Sequence, residues 1–135
     1  MKVAILISGL GLLVAPVFAH HSFTAEYDSA KPVTLTGVVT KVEWMNPHAR
    51  FYVDVKDDDG KMTNWELELG SPNALMRLGW TRNSLKIGDQ VNVEGSLAKD
   101  GSKLANARKV TLADGRKVFA GSAADTEGPK TDPGK

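Results

Sequence analysis

The chain has 135 residues, with 17 basic and 16 acidic side chains, three histidines and no cysteine. That length holds one domain around one core, and the missing cysteine excludes disulfides and lipid attachment through a leader cysteine. The balanced charge offers no excess of cations to displace counterions from phosphates, so nucleic acid is not expected as a partner.

Residues 1–19, MKVAILISGLGLLVAPVFA, place Lys2 before an apolar run that Pro16 interrupts. Val17 and Ala19 stand third and first before a cut that suits signal peptidase, so residues 1–19 read as a secretory signal peptide and the protein as periplasmic. The run is short and no basic stop-transfer cluster follows it, so no membrane anchor is expected after cleavage. Cleavage after Ala19 makes His20 the new amino terminus. Residues 20–32 form an N-terminal arm.

The segment 33–44, VTLTGVVTKVEW, is β-branched and apolar. Val33, Leu35, Gly37 and Val39 hold one parity; Val38, Val42 and Trp44 hold the other. The change predicts a bulge or bend around Gly37-Val38-Val39 in one long strand. RFYVDVK at 50–56 alternates, with Phe51, Val53 and Val55 on one face. DDDG at 57–60 is a hairpin turn. KMTNWELEL at 61–69 returns with Trp65, Leu67 and Leu69 inward and Glu66 and Glu68 outward. SPNALMRLGW then changes period. Ser71 suits an N-cap, Pro72 the first helical position and Gly79 a C-terminal cap, which predicts a helix over about 72–79. Val91, Val93, Gly95 and Leu97 share a strand face, KDGS turns, and 103–112 form a last strand. Residues 113–135, rich in Gly, Pro, Ala and charge, are expected to be mostly disordered.

Three strands, a short helix and two strands give an all-β domain over 33–112. The expectation is a five-stranded OB-like Greek-key barrel with one short helix between strands three and four. A small open sandwich is the competing architecture. The stretches HHSF…EYD, WMNPHARF, SPNALMRLGW and IGDQVNVEGS, in this order and spacing, resemble a family of small exported bacterial proteins of unknown function. The similarity runs from about His20 to about Gly115. It implies export and a small OB-like β domain, and no activity. In architecture alone the chain is also similar to small periplasmic OB-fold copper chaperones. Trp44, Met45 and His48 lie close together here, but their spacing does not reproduce the chaperone motif, so no site is carried over.

The histidines are His20, His21 and, in the first turn, His48. A chain beginning at His20 offers its free amine and its own Nδ1 as a chelating pair, both able to lose a proton to a metal near neutral pH. His48 or His21 can complete a three-nitrogen set, a shape that favours Cu(II). Histidines in a frayed end and an ordinary Pro-His turn are the plainer reading of the same residues. Asp57, Asp59, Gly60 and Glu66 match four EF-hand positions, but Val55 stands where the first ligand belongs, so calcium is not expected. Tyr52 and Trp80 are candidates for a ligand-contacting face, as OB-folds use aromatic side chains. No nucleophile elbow or comparable motif supports hydrolysis. The expected function is therefore non-catalytic: a periplasmic binding module, with copper held by His20, His21 and His48. An envelope protein–protein or saccharide-binding module using Tyr52 and Trp80 is the alternative.

Overall fold

A computed structural model describes residues 23–119. The leader, the cleavage point, His20, His21 and residues 120–135 lie outside the described residues. The chain runs α1 (Phe23–Glu26), β1 (Tyr27–Glu43), β2 (Arg50–Lys56), β3 (Met62–Glu68), α2 (Pro72–Arg77), β4 (Gln90–Ala98), β5 (Leu104–Leu112) and β6 (Lys117–Phe119). The fold is mostly β, in one ring-like sheet. Strand order is β3-β2-β1-β4-β5-β6, and a further pairing of β3 with β5 closes the ring. That closing pair is parallel and joins Glu66, Leu67 and Glu68 to Leu104, Ala105 and Asn106. The other ladders are antiparallel.

Alternation in the sequence becomes a core inside the ring. Phe51, Val53 and Val55 of β2 pack with Trp65 and Leu67 of β3, Val91 and Val93 of β4, and Val110 of β5. The long first strand changes parity as the residues suggest, with Leu35 and Val39 buried before the change. Val42 and Trp44 pack against the core after it. The register shift falls between Val39 and Lys41, however, at Thr40 rather than at Gly37. Gly37 serves a different need: a Cβ there would stand 2.2 Å from the Asp54 carbonyl oxygen. The glycine permits close strand approach, and the extra residue at Thr40 shifts the register.

The helix forms where the capping residues placed it. The Ser71 side chain accepts from the Ala74 N–H, and Pro72 occupies the first turn. At the other end the Gly79 N–H donates to Met76 O and the Trp80 N–H to Leu75 O. With Gly79 at φ 92° this is a Schellman closure. Such a closure turns the residue after the glycine back onto the helix, and Trp80 and Leu75 both lie in the core.

Strands reach beyond 33–112 at both ends. β1 begins at Tyr27, and β6 pairs Lys117, Val118 and Phe119 with β5 inside the segment whose composition reads as tail. At the N-terminal end Phe23, Tyr27 and Ala98 make a second small cluster, with the Phe23 and Tyr27 ring centroids 5.6 Å apart. The Lys99 N–H donates to Glu26 O at 2.9 Å and holds this arm against the end of β4.

Candidate functional site

His48 sits in the connection between β1 and β2, after a cis Asn46–Pro47 peptide. The backbone beyond it is clamped. The Ala49 N–H donates to Gly70 O at 3.0 Å and the Leu69 N–H to Ala49 O at 2.8 Å, prolonging the β2–β3 ladder past both strands. His48 Nδ1 lies 3.2 Å from the Leu69 carbonyl oxygen. A carbonyl can only accept, so this contact assigns the proton to Nδ1 and leaves the Nε2 lone pair free in the neutral ring. The side chain is 36 % exposed, open enough for Nε2 to meet a ligand.

Side chains two residues apart on a strand share a face, so Arg50 follows His48. Across the ladder Arg50 faces Glu68, and Tyr52 faces Glu66. Arg50 Nη1 donates to Glu66 Oε1 at 2.6 Å, and Nη2 stands 3.5 Å from Glu68 Oε2. Burial pulls the guanidinium pKa down, but the two carboxylates outweigh it and hold it up. Glu68 is the surprise. Its parity points away from the core, as expected, yet it is buried at 6 % exposure. The outward reading is corrected here: the side chain leaves the core and then meets the N-terminal arm, whose Tyr27 lies over it. Tyr27 is 2 % exposed. Its hydroxyl has no hydrogen-bond partner among the described residues. Burial first, then the charge of nearby Glu68, push the phenol pKa far above its usual value. The carboxylate thus acts on the hydroxyl electrostatically, although the two miss good hydrogen-bonding geometry.

These contacts trace a path: Phe23 packs on Tyr27, Tyr27 lies beside Glu68, and Glu68 Oε1 is 4.0 Å from His48 Nδ1. Among the described residues no three His, Cys, Asp or Glu side chains converge as metal ligands.

The aromatic candidates do not form a face. Tyr52 points outward, half-buried, with its hydroxyl 3.3 Å from Glu43 Oε2 and the Lys41 ammonium 5.1 Å from its ring centroid. Trp80 is 3 % exposed and belongs to the core. It borders a narrow crevice with Val42, Trp44, Arg82 and Leu85. The DDDG carboxylates serve the hairpin: Asp57 Oδ2 accepts from Thr63 and Asp59 Oδ1 from the Lys61 N–H. The turn borders an open groove of about 650 Å³ with Thr34 and Thr36.

The family-level match covers residues 10–107 and is to a family of unknown function, DUF6152. The chain belongs to this family. The resemblance carried by the HHSF, NPH and SPNALMRLGW stretches is thereby borne out. No curated protein matches this DUF6152 member. Among solved structures, the mitochondrial single-stranded DNA-binding protein Rim1 of S. cerevisiae is similar at 12% identity, with a TM-score of 0.48 over 62% of this chain and 93% of that one. The likeness is one of fold and assigns no ligand here. The expectation that nucleic acid is not a partner is withdrawn, because balanced charge over the whole chain does not exclude it. Net charge is a sum, whereas contact with phosphates depends on where charges lie.

Proposed function

We propose that this DUF6152 member is an exported, non-catalytic envelope module. Its ring is an OB-like Greek-key barrel of five strands with β6 as an addition, and it binds copper at the end of the barrel that carries His48. The mature amino terminus at His20 supplies its amine and Nδ1, and His48 Nε2 supplies the third nitrogen; His21 is the competing third donor. One observation carries the reading: Phe23 packs on Tyr27, Tyr27 lies beside Glu68, and Glu68 Oε1 is 4.0 Å from His48 Nδ1, so the start of the described chain and the third histidine share one neighbour. His20 is three peptide steps from Phe23, a reach of roughly 10 Å when extended. The free lone pair on Nε2 suits the same purpose, since a metal takes the unprotonated nitrogen.

Cu(II) titration of the processed protein, a His48→Ala variant and a form keeping a methionine ahead of His20 tests this. Both altered forms should bind at least about tenfold more weakly, because each loses chelation or preorganisation. Electron paramagnetic resonance should report fewer nitrogen donors for His48→Ala. Equal binding by all three, or none tighter than about micromolar (about −8 kcal/mol), removes copper from the account.

A further inference from the structure

We infer that Glu68 is a positioning residue for His48, fixing which ring nitrogen is offered to a ligand. This rests on the copper reading for its purpose but not for its test. A carboxylate is costly to bury unless something holds it, and Glu68 divides its two oxygens. Oε2 stands 3.5 Å from Arg50 Nη2, while Oε1 faces His48 Nδ1 at 4.0 Å. Arg50 is shared, since its other nitrogen makes the shorter contact to Glu66. The Tyr27 hydroxyl beside Glu68 makes no hydrogen bond among the described residues, and buried Asn106 pairs with Glu68 across the β3–β5 seam. Oε1 itself faces the imidazole at 4.0 Å. The Leu69 carbonyl sets the direction of the Nδ1–H, and the Glu68 charge favours the tautomer that carries a proton there. When a cation draws electron density through Nε2, positive charge develops at Nδ1–H, and a carboxylate within a few ångströms strengthens the ligand.

The test begins without metal. In the neutral ring, long-range ¹H–¹⁵N correlation spectra of the whole processed protein should show His48 protonated on Nδ1. Glu68→Gln keeps the side-chain shape and removes the charge. It should shift His48 toward the Nε2–H tautomer and weaken Cu(II) binding by about 10- to 100-fold. A purely structural role for Glu68 would lower stability without moving the tautomer. If the wild-type ring carries its proton on Nε2, the inference is overturned whether or not the variant folds. It is equally overturned if Glu68→Gln leaves either the tautomer or the affinity unchanged while His48→Ala still weakens binding. Should His48→Ala bind copper like the parent, the copper reading fails alone, and the metal-free spectra still decide the role of Glu68.

Discussion

Gly95→Ala should be among the most damaging single substitutions in this protein. A Cβ at this position of β4 would stand 2.1 Å from the Asn106 carbonyl oxygen, 3.0 Å from its carbon and 3.2 Å from Ala107 Cα. All three atoms are backbone, so no side chain can swing aside; the β4–β5 ladder itself must part. The site lies at a register shift, between Glu94 and Gly95, where the two strands already depart from regular pairing. Overpacking against fixed atoms costs more than overpacking against flexible side chains, and a loss of about 3 kcal/mol or more is expected. Against a total stability of about 5–15 kcal/mol for a small domain, that is a large fraction. Gly101→Ala is the useful contrast. Gly101 has a φ of 78° with open space around it, so its penalty is backbone strain alone, of about 1 kcal/mol. Urea unfolding of both variants measures the difference, and a Gly101→Ala loss equal to or larger than that of Gly95→Ala would contradict the close approach of β4 to β5.

Tyr27→Phe is expected to act in the opposite direction, and to do so twice. Near neutral pH the variant should be more stable than the parent by about 1 kcal/mol, because it removes a buried hydroxyl that makes no hydrogen bond. The second effect appears in alkali. In the folded protein, burial and the Glu68 charge hold the phenol pKa well above its usual 10.0. A raised folded pKa means that the unfolded chain gives up the proton first. Stability linked to this group is complete below pH 10.0 and drains as the pH climbs past it, by about 1.4 kcal/mol per unit. Phenylalanine has no proton to lose, so the gap between variant and parent should widen from pH 10 to 11. Denaturant unfolding at pH 7 and pH 11 checks both effects, and a constant gap across that range would mean that Tyr27 ionises freely while folded.

The strands of the ring-like sheet were legible because period-two alternation survives wherever a strand has one face in the core. The helix was legible because Ser71, Pro72 and Gly79 each meet a specific backbone need. What escaped was set by contacts between distant segments. Parity assigns Glu68 correctly to the outer surface, but cannot say that residues some forty positions earlier return to cover that spot. A partial signal existed. The tight DDDG turn fixes the hairpin register, and the register alone pairs Arg50 with Glu68. Pairing an arginine opposite an acid, two residues past the histidine, would have marked the cluster. Trp80 was offered for contact because OB-folds use aromatic side chains on a ligand face, and that analogy says nothing of burial; the Schellman closure directs it inward. The strand formed by Lys117–Phe119 escaped because it is three residues long and flanked by Gly-rich sequence.

The parallel β3–β5 pairing has a bearing on how the ring comes together and comes apart. Its two partners are roughly forty residues apart in sequence, so forming it carries a loop-closure entropy that the local hairpins avoid. Only three residue pairs repay that entropy, against nine pairs joining β1 to β4. Of the ladders that close the ring from β1 to β5 the seam is the shortest, and native-state hydrogen exchange should find the Glu66 amide, bonded across it to Lys103 O, among the early ones to open. Glu68 ends that seam, and the carbonyl of Leu69, which holds the His48 ring, is the next residue along. Anything that holds the His48 turn in place would act as a clasp on the joint where the ring is easiest to open.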